Sequence, residues 1–286
     1  MSESSRSSGA RRLHSFRRLR RPRTTHLALL AGLALLALLT ASPLRAQYRF
    51  DARSTDNGLP QNSVRAILQT RDGYVWFTTY DGLVRYDGVR FTVFDKGSTR
   101  GIGGNRFDSL YEGKDGSLWA GTQDSGLTRY KDGSFRTYTT ADGLPDNKIT
   151  GVCDDGEGGL LVWTPAGVVV WHDGRLAPHP SLSALVRGVT VVMRDSAGAI
   201  WFNGQGGLCR FKDGSVSVFT SAEGLTDKSV SCIYEDHQGR LWVGTSHGGV
   251  YRLDGERFVA ITAGQLPNSA IYALVEDARG DLWVVA

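Results

Sequence analysis

Side chains that commonly carry out chemistry occur in this sequence, but they form none of the familiar catalytic motifs. There is no His-Glu-x-x-His zinc motif, no glycine-rich phosphate loop and no Gly-x-Ser-x-Gly nucleophile motif. Asp-Gly pairs recur, but their spacing differs from that of the Asp-x-Asp-x-Asp calcium loop and is typical of hairpin turns. The sequence therefore predicts no metal site and no cofactor.

The residues that could act as a general acid or base are Asp81, Asp124 and His247. Each falls in a different copy of a repeated segment, in a stretch that varies between the copies. A polysaccharide lyase or glycosidase would need such groups to converge. The spacing instead favours ligand binding, with Tyr80 and Gln123 as polar neighbours of these residues.

Cationic and amide side chains stand just before several apolar stretches and could bind an acidic or polyhydroxylated ligand, such as an oligosaccharide. Arg187, Asn62 and Asn105 belong to this group of hydrogen-bond donors. The hypothesis of a binding site rests on a set of nine residues. They are Tyr80, Asp81, Arg106, Gln123, Asp124, Lys148, Gln205, Lys228 and His247.

The elements that must position these residues come from a repeat of about 41 residues. Its anchors are residues 76, 119, 161, 201, 242 and 283, which are Trp in five copies and Leu161 in the third. A glycine stands three residues before every anchor, and a second Asp-Gly pair follows the next apolar run. Several short strands in a fixed period of this length are the signature of a β-propeller.

Each copy is predicted to form one blade, a four-stranded antiparallel sheet, with the anchor in its second strand. The first strand is apolar at alternating and intervening positions, which predicts burial on both faces. The anchors are predicted to pack one blade against the next. Segments such as Gly58-Leu59-Pro60 and Gly143-Leu144-Pro145 mark the crossings between blades.

The repeats give an all-β propeller that is incomplete: five blades plus the first half of a sixth, from a ring that is expected to hold seven. The last copy stops inside its anchor strand, so we expect a fragment of a longer protein. Residues 48–53 resemble a fourth strand, which would close the ring by pairing with the last blade.

Residues 1–46 are predicted to be a signal peptide, or alternatively an uncleaved anchor, and residues 47–286 the propeller. A basic run leads into an apolar stretch from Leu27 to Ala41, followed by small residues near Ala46. This leader holds nine of the 33 Lys and Arg residues and one of the 29 Asp and Glu residues. The remainder therefore has 24 basic and 28 acidic residues, which argues against nucleic-acid binding.

Three cysteines, Cys153, Cys209 and Cys232, fall in predicted strands with apolar neighbours. An odd, scattered set is no disulfide framework and predicts buried small hydrophobic residues, although one pair could bridge two strands.

Gly58 to Ile67, then Asp72 to Thr78, then Gly82 to Gly88 resemble the two-component regulator propeller repeat, and the resemblance extends over about residues 48–286. Leu161 and Pro165 make the third copy irregular. The resemblance implies a periplasmic sensor region, joined beyond residue 286 to a membrane helix and a cytoplasmic histidine kinase or diguanylate cyclase. It also implies a dimer in the full-length protein.

Two other functions stay open at this point. One is a secreted propeller enzyme acting on polysaccharides, and the other is a propeller that serves as an interaction scaffold.

Overall fold

In a computed structural model, each copy of the repeat is an antiparallel sheet whose strands follow one another in chain order. The structure describes residues 52–185, 187–204, 206–247, 249–261 and 270–286. The predicted signal peptide and most of the predicted strand at residues 48–53 lie outside these residues. Among the described residues, no helix is long and apolar enough to cross a membrane.

The described residues form five four-stranded sheets, here called blades 1 to 5, and a last two-stranded sheet. Blade 1 holds β1 (Ala66–Gln69), β2 (Val75–Thr79), β3 (Gly82–Tyr86) and β4 (Phe91–Phe94), and blade 2 holds β5 (Phe107–Glu112), β6 (Leu118–Thr122), β7 (Leu127–Lys131) and β8 (Ser134–Tyr138). Blade 3 holds β9 (Gly151–Asp154), β10 (Leu160–Thr164), β11 (Gly167–His172) and β12 (Arg175–Pro178), and blade 4 holds β13 (Val192–Arg194), β14 (Ile200–Gly204), β15 (Gly207–Lys212) and β16 (Ser215–Phe219). Blade 5 holds β17 (Val230–Glu235), β18 (Leu241–Thr245), β19 (Val250–Asp254) and β20 (Arg257–Ala260), and the last sheet holds β21 (Ala273–Glu276) and β22 (Leu282–Val285). Short 3₁₀ turns lie at Thr55–Asn57, Thr140–Asp142, Ser183–Leu185 and Ser221–Glu223.

The sheets succeed one another around their first strands. β1 contacts β5, β5 contacts β9, and the same contact continues through β13 and β17 to β21. The first strands thus form the inner edge, and the fourth strands the outer edge, which is the arrangement of propeller blades. The predicted all-β propeller fold is confirmed.

The anchors pack the blades against each other, as the sequence predicts. Trp76 is 2% exposed, and Tyr130 of blade 2 lies 5.1 Å from it between ring centroids. Trp119 is equally buried, and Trp171 of blade 3 lies 4.6 Å from it. Aromatic pairs at these distances add a specific orientation to the burial of apolar area.

The first strands are less buried than the sequence analysis predicts. Ile67 is 64% exposed and Val275 is 50% exposed. These residues lie in the first and last described sheets, where a described sheet covers only the opposite face, the one that carries Leu68 and Leu274. The prediction of burial on both faces is therefore correct only for first strands that lie between two blades. Even these first strands are only partly buried, because the inner edge of each blade is accessible.

The predicted turns are confirmed. All six glycines that precede the anchors have a positive φ, between 74° and 97°. In the second hairpin of blades 2, 3 and 4 the Asp before the Gly is also left-handed, with φ of 49° to 50°. Two successive left-handed residues are the pattern of a type I′ turn, whose twist suits a two-residue hairpin.

Neighbouring blades are also joined by hydrogen bonds to carboxylates. Glu112 of blade 2 accepts from the backbone N–H of Arg71 in the first hairpin of blade 1, at 3.1 Å. Glu235 accepts from Ser196 and Glu276 from His237 in the same way, each at 2.8 Å. Each link fixes a turn of one blade to the first strand of the next blade.

A buried carboxylate holds the first hairpin of blade 5. Asp236 accepts from the indole N–H of Trp242 at 2.8 Å, from the Arg240 side chain, and from the backbone N–H groups of Gln238 and Arg240. Burial raises the pKa of Asp236, but these hydrogen bonds outweigh burial and lower the pKa to about 2. The ionised form is therefore the one that stabilises the fold.

Replacing Asp236 by Asn is expected to lower the free energy of unfolding by about 1–3 kcal/mol at pH 7, because a charged acceptor is lost from buried donors. Since the folded pKa lies below the usual value of 3.8, the contribution is complete above about pH 5 and is lost as the pH falls towards 2. Urea unfolding across this range measures both effects. Asp254→Asn, at an exposed hairpin position, is the control. Equal behaviour of the two variants would contradict the assignment.

Candidate functional site

The antiparallel strand order places two kinds of connection on opposite faces of the propeller. The hairpins between first and second strands and between third and fourth strands lie on one face, here called the hairpin face. The loops between second and third strands and the crossings between blades lie on the other, here called the loop face. Eight of the nine predicted site residues belong to the loop face, and the ninth, Gln205, lies outside the described residues.

Blades 1 and 2 bring two of the predicted residues together. The guanidinium of Arg106 lies 6.0 Å from the ring centroid of Tyr80, within the range of a cation–π contact. Arg106 immediately precedes β5, and Tyr80 follows β2. Both side chains are exposed, so a ligand could reach this pair without a change in the backbone.

Asp108 joins the same two blades and was missed by the sequence analysis. One of its carboxylate oxygens accepts from the Arg65 side chain at 3.4 Å and from the Gln123 side chain at 3.2 Å. Asp108 lies where the pairing of β5 with β6 shifts register, between Phe107 and Ser109. A bulge turns one residue out of the alternating pattern and often re-aims a side chain beside a site.

A signal for this position is present in the sequence. The residue eleven before each anchor is polar in the first five copies, although apolar residues flank it in most of them. These residues are Arg65, Asp108, Thr150, Thr190 and Ser231. Reading only the apolar pattern of the first strand overlooks this polar position at the loop face.

His247 is held by a neighbouring carboxylate. Asp227 accepts from the backbone N–H of His247 at 2.8 Å and from that of Ser229 at 2.9 Å. The imidazole Nδ1 lies 3.7 Å from the same carboxylate. Burial raises the pKa of Asp227, but the backbone hydrogen bonds prevail and lower it, so Asp227 is an ionised partner for a loop that carries an exposed imidazole.

Lys148 and Lys228 are exposed, and neither ammonium group has a hydrogen bond or ion pair within the described residues. Arg187 is likewise exposed and lines a cavity of about 200 Å³ together with Phe202 and Cys209. These cations are therefore available to an anionic or polyhydroxylated ligand on the loop face.

The two asparagines among the predicted hydrogen-bond donors contact their own crossing segments. The Asn62 side chain accepts from the backbone of Thr55 at 2.9 Å and donates to the side chain of that residue. Asn105 accepts from the backbone of Lys96 at 2.8 Å. Both side chains hold the crossing segments together.

The three acid–base candidates do not form a catalytic group in the described part of the chain. Asp124 accepts from Ser125 at 2.6 Å, and the backbone of Asp81 donates to Thr79. No hydrogen bond or ion pair joins Asp81, Asp124 and His247 among the described residues. The described residues also contain no group of three or more His, Cys, Asp or Glu side chains placed to hold a metal ion.

The cysteines offer no nucleophile. All three are free thiols, so the alternative of a disulfide between two strands is wrong. Burial raises the pKa of Cys153 to about 12 and that of Cys232 to about 11. A thiol with so high a pKa is protonated at neutral pH and unreactive.

Four segments match the sequence profile of the two-component regulator propeller: residues 58–81, 101–124, 224–247 and 265–285. The chain contains two-component regulator propeller repeats. The first three matched segments run from a crossing through the first two strands and end on Asp81, Asp124 and His247, in the variable loops. The third and fourth copies, which include the irregular Leu161 repeat, are not matched.

The repeats also resemble solved structures. The extracellular domain of the hybrid two component system BT3049 from B. thetaiotaomicron is 26% identical, with a TM-score of 0.67 over 82% of this chain and 34% of that domain. The chain thus spans about a third of the length of that domain. No curated protein matches.

Two further structures share the fold at lower identity. Virginiamycin B lyase from Staphylococcus aureus, solved in a catalytically inactive form with quinupristin, is 17% identical with a TM-score of 0.59 over 78% of this chain and 77% of the lyase. PorZ, a surface component of the type-IX secretion system of Porphyromonas gingivalis, is 16% identical with a TM-score of 0.59 over 83% of this chain and 40% of PorZ.

Replacing Asp227 by Ala is expected to free the His247 loop, because two backbone N–H groups lose their acceptor. The cost is about 1–2 kcal/mol of local opening free energy. Hydrogen exchange at residues 229 and 247 measures it, and faster exchange confined to this region is the expected result. Asp124→Ala, which removes only a contact to the adjacent serine, is the control. Unchanged exchange in Asp227→Ala would show that the loop is held by other contacts.

Proposed function

We propose that this chain is the ligand-sensing region of an exported signal-transduction protein. The observation that carries the proposal is the match of its repeats to the two-component regulator propeller, together with the likeness to an extracellular domain of a hybrid two component system. A basic and apolar leader in residues 1–46 agrees with export. In this proposal the propeller lies on the periplasmic side of the membrane.

The loop face is the proposed binding surface. The hairpin face repeats the same Asp-Gly turns, whereas the loops after the second strands differ from blade to blade. Specific sites on repetitive scaffolds are built where copies differ. Exposed cations at Arg106, Lys148 and Lys228, with the aromatic ring of Tyr80 beside Arg106, suit an acidic or polyhydroxylated ligand such as an oligosaccharide.

In this proposal, signal output is carried out by parts of the protein other than residues 1–286. A membrane helix, a cytoplasmic kinase or cyclase module and a dimeric full-length protein are part of the proposal. Binding at the loop face would change the geometry of that dimer. Such a change requires that the ligand bind one of the two states of the dimer more tightly than the other.

A secreted polysaccharide enzyme is the less supported alternative. The likeness to virginiamycin B lyase is at 17% identity and concerns the fold. An acid–base mechanism needs side chains that converge on one bond, whereas no hydrogen bond or ion pair joins Asp81, Asp124 and His247 within the described residues.

The proposal predicts that Arg106→Ala, Lys148→Ala and Lys228→Ala, combined in one variant, weaken oligosaccharide binding by about ten-fold or more. Each lost charged hydrogen bond costs about 1.5–3 kcal/mol. Calorimetry with a panel of neutral and acidic oligosaccharides measures the affinities. The three side chains are exposed, so the fold should persist, and circular dichroism checks it.

The matched control is Lys212→Ala, which removes an exposed cation from the hairpin face. The site assignment fails if the triple variant binds as tightly as the unmodified chain, or if the control loses as much affinity. In the full-length protein, the triple variant should also lose its response to the ligand that binds.

A further inference from the structure

Grooves between successive blades open on the hairpin face, and one of them differs in charge from the others. The groove between blades 2 and 3 has a volume of about 480 Å³. The corresponding grooves between blades 3 and 4 and between blades 4 and 5 have volumes of about 330 and 290 Å³. The two larger volumes lie in the range of small-molecule sites.

The charge of the three grooves separates them more clearly than their size. The groove between blades 2 and 3 is lined by the cations Lys114, Arg129, Lys131 and Arg136 and by the carboxylates Asp115 and Asp173. Asp155, Glu157 and Asp213 outnumber Arg194 and Lys212 in the next groove. In the third, Asp195 and Glu235 face only Arg240. Among the side chains that line the three grooves, cations thus outnumber carboxylates once and carboxylates outnumber cations twice.

Two cations in the positive groove share a single acceptor atom. Arg129 donates to one carboxylate oxygen of Asp115 at 2.7 Å, and Lys131 donates to the same oxygen at 2.8 Å. Burial raises the pKa of Asp115, but the hydrogen bonds from Lys131, Ser117 and Arg129 outweigh it and hold the pKa well below its usual range. One ionised carboxylate thus accepts from two cations, and the other carboxylate of the groove, Asp173, forms no ion pair with either of them among the described residues.

The other two cations are directed to partners beyond the groove. Lys114 pairs with Asp154 at 3.2 Å, and Arg136 pairs with Asp142 at 3.4 Å. Lys131 is 38% exposed and Arg129 is 22% exposed, so both remain accessible. The guanidinium of Arg129 also lies 5.0 Å from the ring centroid of Trp171 and 5.3 Å from that of Trp119, which fixes its position.

The aromatic wall of the groove contains a donor that lacks an acceptor. Trp171 lines the groove and is 8% exposed, and its indole nitrogen is buried without a hydrogen-bond partner among the described residues. Buried polar groups are almost always hydrogen-bonded, so such a group calls for an explanation. Trp201 and Trp242, by contrast, donate to carboxylates of their own blades.

We propose that the groove between blades 2 and 3 binds a small organic ligand through an oxyanion, a carboxylate or a phosphate, held by Lys131 and Arg129. The ligand supplies the counter-charge that Asp115 cannot provide to both cations. Arg129 is held in place by two indole rings, which makes it a preorganised donor for such a group. This site is separate from the loop face and does not depend on the function proposed for that face.

Calorimetric titration with D-galacturonate, inorganic phosphate and D-glucose tests the proposal. The chain used carries the Arg106→Ala, Lys148→Ala and Lys228→Ala changes, so that the loop face does not contribute. We expect saturable binding of galacturonate or phosphate and none of glucose. The tighter of the two anions identifies the chemistry as carboxylate or phosphate.

Lys131→Ala is expected to weaken that binding by about ten-fold, and Lys131→Arg to retain most of it, because the cation is kept. Lys212 ends the third strand of blade 4 as Lys131 ends that of blade 2, so Lys212→Ala is a matched control that should bind normally. The proposal is overturned if neither anion binds saturably. It is equally overturned if Lys131→Ala binds as well as the parent or if Lys212→Ala loses the same affinity.

Discussion

The packing of the anchor tryptophan between an arginine of its own blade and the next blade is the contact on which most of the structure depends. In four blades the anchor tryptophan pairs across the sheet with an arginine of the third strand, and the cation lies over the indole ring. The pairs are Trp76 with Arg85, Trp119 with Arg129, Trp201 with Arg210 and Trp242 with Arg252. Arginine covers the face of a large apolar ring and keeps its charge accessible to water.

Blade 3 shows that the two positions change together. Its anchor is Leu161, and the residue paired with it is Val170. Without an indole ring there is no π-face for a cation, and the pair becomes a small aliphatic contact. Trp163, two residues after the anchor, fills the space and is fully buried. The irregular copy is thus a different solution to the same packing problem.

Much of the fold could be predicted because the same sequence pattern recurs in six copies of the repeat. The period gives the blades, the positive-φ glycines give the hairpins, and the anchors give the packing. The carboxylate hydrogen bonds that join blades could not be predicted, since Arg71 and Glu112 lie 41 residues apart and belong to different copies. The bulge at Asp108 was equally hidden, because register shifts do not follow from the alternation of apolar residues.

The candidate site was predictable only as a face of the fold. Variation between copies places Tyr80, Asp81 and Gln123 in loops, but does not say which of them contact each other. The structure pairs Tyr80 with Arg106 and ties Gln123 to Arg65 through Asp108. Residue types alone also gave Asn62 the role of a ligand donor, although its side chain holds a crossing segment.

A repeated scaffold separates the requirements of folding from those of binding. The interior of each blade is constrained by the packing of its anchor, and blade 3 differs from the other blades at both members of the anchor pair. The loops of one face and the grooves of the other lie outside that constraint, and they differ between blades in charge and shape. Arg129 belongs to both categories, because it covers Trp119 and also lines the groove with Lys131. Because the core already holds Arg129 in place, this side chain loses little conformational freedom when a ligand binds. The contact with Trp119 that stabilises the blade would therefore also favour binding in the groove.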